Sequence, residues 1–148
     1  MIWSGDADDL RMHGVSLDAA PDRSDRAPPL LSRLVADLIA GRDRTDALDR
    51  CAWDACTPFA RQVLQTLART VPCGCTTSYG ELARRTGHPR AARAVGRVMA
   101  ANPFPLVVPC HRCLTTDGRI GGFQGSRATI GLKRAMLLHE ERVAELMH

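Results

Sequence analysis

Residues 78–99 read SYGELARRTGHPRAARAVGRVM, two short helical patterns separated by a break. Ser78 stands as an N-cap before a helix over Tyr79 to Arg85, and Glu81 sits at the capping-box position three residues on. Gly87-His88-Pro89 ends that helix, and a second starts near Ala91 and runs through Val95 and Val98 to Met99. Two short helices around a tight Gly/Pro turn form a helix-turn-helix pattern, one that plain αα-corners share. The face of the second helix separates the two cases. Ala92, Ala94 and Gly96 are small enough for the helix backbone to press close to a nucleic-acid groove, with Arg93 and Arg97 projecting beside them.

Toward the N-terminus, Thr57 before Pro58 has the form of an N-cap followed by a first-turn proline, so a helix is expected from Pro58 to Thr70 with Val63, Leu64 and Leu67 buried. Arg42 to Asp54 is polar and turn-like. A further amphipathic helix is expected from Leu30 to Ala40, stopped by Gly41. Residues 1–29 read as mostly irregular, with weak strand-like fragments at Leu10–Met12 and Val15–Leu17. Toward the C-terminus, Asn102-Pro103 leads into Leu106-Val107-Val108, read as a short buried strand closed by Pro109, which places Cys110-His111-Arg112 at a strand end. Turns are marked at Asp117-Gly118 and Gly121-Gly122. The last helix, Ile130 to Met147, is expected to turn Leu132, Ala135, Met136, Leu138, Val143 and Leu146 inward. The result is an α/β (α+β) chain: a short, polar N-terminal region over 1–54 and a mainly helical, winged-helix-like domain over 55–148 with a short strand leading to Cys110.

Charge is distributed unevenly along the 148 residues. Residues 1–50 carry seven Arg and ten Asp, whereas Arg84 to Arg134 carries ten basic residues against Asp117 alone. A run of that kind is either a solvated surface, for which 19 Arg to one Lys is the mark of a GC-rich coding sequence, or a face for a polyanion such as DNA. No apolar run is long enough for a membrane helix and the N-terminus lacks the order of a secretory signal, so a cytoplasmic protein without membrane contact is expected. Structural disulfides are then disfavoured for the six cysteines. Cys51, Cys56, Cys73 and Cys75 lack zinc-knuckle spacing, although two such pairs brought together form a tetrahedral thiolate site, a weak zinc possibility.

Pro109-Cys110-His111-Arg112, together with Ser78-Tyr79-Gly80-Glu81-Leu82-Ala83, Ala91 to Gly96, Asn102-Pro103 and Lys133 to Glu140, resembles the O6-alkylguanine-DNA alkyltransferase family, in order, from about Phe59 to Glu140. Alkyl transfer from an aromatic ether oxygen to sulfur needs a thiolate, and Cys110 is the candidate. The resemblance implies a Cys110–water–His111–Glu140 relay. It implies that Arg93 fills the space left by an extruded base and that Tyr79 contacts that base and donates its hydroxyl proton to the guanine ring. It also implies that Asn102 braces the Cys-bearing loop and that the helix bearing Ala92, Ala94, Gly96 and Arg97 enters the minor groove. The implied partner is double-stranded DNA carrying O6-alkylguanine, bound by a monomer without a cofactor.

The sequence departs from the family at the pocket and at its beginning. Gly122-Phe123-Gln124-Gly125-Ser126 stands where many members have a Gly-Tyr-x-Gly-Gly loop, which makes Phe123, Gln124 and Gly125 implied pocket residues, and Cys113 replaces an aliphatic residue whose carbonyl receives the guanine amino group. Cys113 is then either core filling or an oxidation partner for Cys110. Residues 1–50 are too short and polar for the family's usual sheet-containing first domain, so that domain is reduced or the chain starts late. An alternative function is a recognition protein that binds alkylated bases and recruits another repair pathway; in such relatives the Cys is replaced.

Overall fold

The computed structural model describes residues 2–4, 11–14, 29–121 and 129–147, with side chains described from residue 32 onward. Five helices carry the fold: α1 (Pro29–Ile39), α2 (Pro58–Thr70), α3 (Tyr79–Arg85), α4 (Ala92–Ala100) and α5 (Ile130–Leu146). Strands are short. β1 (Ile2–Ser4) pairs antiparallel with β2 (Arg11–Gly14), and β3 (Thr77–Ser78) pairs parallel with β4 (Cys113–Leu114). The fragment expected at Val15–Leu17 lies outside the described residues, and the one at Leu10–Met12 overlaps β2.

α2 begins and ends at the residues expected from its cap. The Thr57 hydroxyl accepts from the Ala60 N–H at 3.2 Å, Pro58 occupies the first turn, and Val63, Leu64 and Leu67 are buried. The Ser78 hydroxyl likewise caps α3, accepting from the Glu81 N–H at 3.0 Å. The Glu81 carboxylate turns outward to Arg84 and Arg85 instead of closing the capping box. Between α3 and α4, Gly87 takes φ +79°, which lets His88 N–H reach back to the Ala83 carbonyl at 2.9 Å and turns the chain within four residues. α4 buries Val95 and Met99 against α2 and α3, so the helix-turn-helix is a packed corner resting on α2.

Two expectations about the second half are corrected. Leu106–Val108 is not a strand leading to Cys110. It is a turn in which the Phe104 carbonyl accepts from both Val107 N–H (3.0 Å) and Val108 N–H (2.8 Å), and the strand, β4, follows the cysteine. The apolar run reflects burial in the core, and three prolines in 103–109 remove the N–H donors that a ladder needs. In α5, Leu132, Leu138 and Leu146 are exposed, Ala135 is exposed as well, and the fully buried positions are Lys133 and Glu140. These two lie two helical turns apart on one face, and polar partners beneath the helix rotate it away from the hydrophobic solution.

Residues 42–54, expected to be turn-like, form two 3-10 turns over Thr45–Arg50 and Trp53–Ala55 that bury Ala47, Leu48, Cys51 and Trp53. The Trp53 ring meets Phe104 edge-on with centroids 5.0 Å apart, and its indole N–H donates to the Leu48 carbonyl at 2.8 Å. At the end of α1, Gly41 stops the helix with φ +68°, as expected, directly against Val143 of α5. No described helix is long and apolar enough to cross a membrane.

Candidate active site

Cys110 opens a 3-10 turn, Cys110–Arg112, and is buried. Its placement is set from below by Asn102. The buried carboxamide accepts from Phe104 N–H at 2.9 Å and donates to the Val108 carbonyl at 3.1 Å, closing the loop that ends at Pro109. Backbone bonds from Cys110 N–H to Val108 O (2.8 Å) and from Arg112 N–H to Pro109 O (3.0 Å) then fix the cysteine's own turn. A strand end would have sent Cys110 and His111 to opposite faces. The 3-10 turn instead packs His111 fully into the interior.

His111 Nε2 lies 2.8 Å from Glu140 Oε1. Burial alone would raise the Glu140 carboxyl, but hydrogen bonds from His111 and Arg112 outweigh it and hold the group down at about 2. Glu140 is therefore an anion, which assigns the proton to Nε2 and leaves His111 Nδ1 as the unprotonated nitrogen. Nδ1 is buried and has no hydrogen-bond partner among the described residues. Desolvation lowers the imidazole pKa below its ordinary 6.5, against the pull of Glu140, so at neutral pH the ring is a neutral base.

Arg112 closes the same network. Its guanidinium grips Glu140 with two bonds of 2.8 Å and reaches Asp43 and the Val71 carbonyl at 2.7 Å each. Desolvation opposes its charge, yet these carboxylates raise its pKa overall. Arg112 and Asp43 were not singled out from the sequence: an arginine beside the candidate nucleophile reads as part of the basic face, and its acidic partner lies 69 residues away.

Lys133 is the other group that sequence reasoning missed. It is buried, donates to the Cys113 carbonyl at 2.6 Å, and sits 5.9 Å from the centroid of the Tyr79 ring. Burial lowers its pKa, while nearby Cys113 and Cys110 favour the charged form. A signal existed: it is the single lysine among twenty basic residues. Burial pushes the Tyr79 hydroxyl up to about 12, with Cys113 and Cys110 adding to the shift. Tyr79, Cys110, Cys113, His111, Lys133 and Glu140 are thus brought together, as the sequence expectation required for all but the lysine.

On α4, Arg93 and Arg97 are exposed while Ala92, Ala94 and Gly96 are half-buried, and no neighbour lies within 4 Å of where a Gly96 side chain would begin. Phe123, Gln124 and Gly125 lie outside the described residues. Among the described residues no three His, Cys, Asp or Glu groups gather to hold a metal ion, so Cys51, Cys56, Cys73 and Cys75 do not converge on a thiolate site.

A helix-turn-helix with an arginine-bearing second helix, joined to a buried thiol beside an imidazole–carboxylate pair, defines a helix-turn-helix protein built around a buried cysteine. Residues 58–142 match the family described as 6-O-methylguanine DNA methyltransferase, DNA binding domain, and the chain belongs to that family. It is 42% identical over 114 residues to a methylated-DNA–protein-cysteine methyltransferase of Salmonella typhimurium, covering 76% of this chain and 63% of that one. With the human protein of the same name it shares 44% identity over 82 residues, 55% of this chain and 38% of that one. The chain thus spans less than two thirds of these curated relatives. Among solved structures, Mycobacterium tuberculosis OGT in complex with DNA superposes with TM-score 0.67 at 30% identity, covering 95% of this chain and 86% of that one. The O6-methylguanine-DNA methyltransferase of Pyrococcus kodakaraensis gives TM-score 0.65 at 33% identity, covering 84% and 67%.

Proposed function

We propose that the chain repairs DNA by direct reversal, moving a methyl or larger alkyl group from O6 of guanine in duplex DNA onto the Cys110 sulfur. The observation that carries this reading is the buried His111, held by the Glu140 anion in the tautomer that leaves Nδ1 free to accept a proton beside the Cys110 turn. His111 Nδ1 takes the thiol proton through one water, and Glu140 stabilises the imidazolium that forms. The Cys110 sulfur then attacks the alkyl carbon, a carbon–sulfur bond forms, and the carbon–oxygen bond breaks. Tyr79, whose high pKa keeps its hydroxyl protonated, supplies a hydrogen bond and a proton to the departing guanine.

The target oxygen lies within the base stack, so the nucleotide is extruded first. Arg93 fills its place, Arg97 contacts phosphate, and Ala92, Ala94 and Gly96 let α4 sit close in the minor groove. The Cys113 carbonyl holds the guanine amino group; it already accepts from Lys133, and a carbonyl oxygen has a second lone pair for the base. We assign Phe123, Gln124 and Gly125 to the substrate pocket on the family resemblance, and Asn102 keeps the loop in register. The catalytic and DNA-binding domain is residues 55–148, working as a monomer in the cytoplasm. The sulfur is itself the nucleophile, so the transfer calls on no cofactor, and a thioether has no easy return at neutral pH. Each molecule therefore acts once.

Incubation with an excess of duplex labelled in the O6-methyl group tests this reading. Label is expected to move to protein and stop at one group per chain. Binding of the damaged duplex without any transfer would replace the reading with that of a recognition protein.

A further inference from the structure

Cys113 carries a second thiol that alkyl transfer does not use. It is fully buried, and it closes the turn that Cys110 opens, its N–H donating to the Cys110 carbonyl. Three residues of 3-10 rise separate their Cα atoms by about 6 Å, inside the range of about 4.4–6.8 Å that a disulfide spans. Both thiols act electrostatically on the same two groups, the Tyr79 hydroxyl and the Lys133 ammonium, and on each other, so both sulfurs belong to one interior cluster. All the described cysteines are reduced. Cys51 is engaged elsewhere, its thiol donating to the Ala47 carbonyl.

We propose that Cys110 and Cys113 form a redox-reactive dithiol that a hydroperoxide closes into a reversible disulfide, masking the nucleophile. Cys110 as thiolate attacks the peroxide O–O bond; a sulfur–oxygen bond forms, hydroxide leaves and takes up a proton as water, and Cys110 becomes a sulfenic acid. Cys113 then attacks the Cys110 sulfur. The S–S bond forms, the S–O bond breaks, and the hydroxyl departs with the Cys113 proton as water. The peroxide gains the two electrons that the two thiols lose, and a small dithiol returns them. Burial pushes the Cys113 thiol up to about 12, which leaves the first attack on the peroxide to Cys110. Closure before a second oxidation keeps Cys110 from the sulfinic and sulfonic states, which are not reversed by thiols.

The loss of transfer on oxidation rests on Cys110 being the alkyl acceptor; the disulfide itself does not. The test treats the full reduced chain with hydrogen peroxide, maps it by non-reducing digestion and mass spectrometry, and measures alkyl transfer before treatment, after it, and after dithiothreitol. The expected map shows a Cys110–Cys113 linked peptide with two hydrogens lost, and more than half of the initial transfer returns with dithiothreitol. In Cys113→Ser, peroxide carries Cys110 on to the sulfinic acid, and whatever transfer that variant had does not return. The proposal is overturned if wild-type Cys110 gains two or three oxygens with no linked peptide, or if its partner is another cysteine. Equal recovery in both chains overturns it too. The wild-type map decides the matter even if the variant does not fold. Absence of transfer from untreated, reduced protein would instead sink the alkyl-transfer reading, with the linked peptide still deciding this one.

Discussion

Glu140 accepts hydrogen bonds from His111 and from two nitrogens of Arg112, and the protonation state of the site follows from that one carboxylate. Its pKa of about 2, against an ordinary 4.5, makes it a group whose stabilising effect is complete above 4.5 and is lost as pH falls toward 2. His111 has the same sign. Its pKa is lowered from 6.5, so the unfolded chain takes up the proton first, and folding loses stability as pH falls below 6.5. In the proposed transfer neutral His111 is the base, so single-turnover rates measured across pH should fall on the acid side with an apparent pKa below 6.5. An acid limb centred above 6.5 would contradict the neutral, desolvated base. Cys110, His111, Glu140, Tyr79 and Asn102 were legible in the sequence through their motifs. Arg112 and Lys133, with the Asp43 partner of Arg112, were not, because burial of a charge depends on partners that long-range packing supplies and that no local pattern announces.

Helices with caps were read to within a residue or two: α2 from Thr57 and Pro58, α3 from Ser78, α1 from its glycine stop. α5 stands at the expected place, but of the six apolar residues expected inward only Met136 and Val143 are half-buried and the other four are exposed. Periodicity places apolar residues inside by default, whereas Lys133 and Glu140 hold that helix through hydrogen bonds to Cys113, His111 and Arg112. The turn after α1 locks against α5 and delivers Asp43 to Arg112 two residues later. A Cβ on Gly41 would stand 2.5 Å from Val143 Cγ1, at a φ of +68°. Gly41→Ala is therefore expected to cost at least about 1–2 kcal/mol from the left-handed backbone alone, read as a lowered midpoint in denaturant unfolding. An unchanged midpoint would mean that this junction is not under the constraint the geometry describes.

Across the whole molecule, the described basic residues between Arg84 and Arg134 divide into three populations. Arg112 and Lys133 point inward and serve the site, while Arg84 and Arg85 pair with Glu81 and Arg119 pairs with Asp117. Arg90, Arg93, Arg97 and Arg134 remain exposed and make no ion pair among the described residues. The charge count alone overstated the face open to DNA, because sequence gives the sign of a residue and not the direction of its side chain. Each exposed arginine on a phosphate releases condensed counterions. Arg97→Ala should therefore reduce the slope of log affinity against log salt by about 1, similarly for different duplex sequences. A loss that varies with sequence at unchanged slope would place Arg97 on a base edge.

The proposed repair reaction converges on one atom, the Cys110 sulfur. Peptide mass spectrometry after incubation with a duplex containing O6-methylguanine measures it directly. One added methylene is expected on the peptide containing Cys110, at one per chain, and none on the peptides of the other cysteines. An unmodified Cys110 in folded, reduced protein, or the methylene on any other residue, would contradict it.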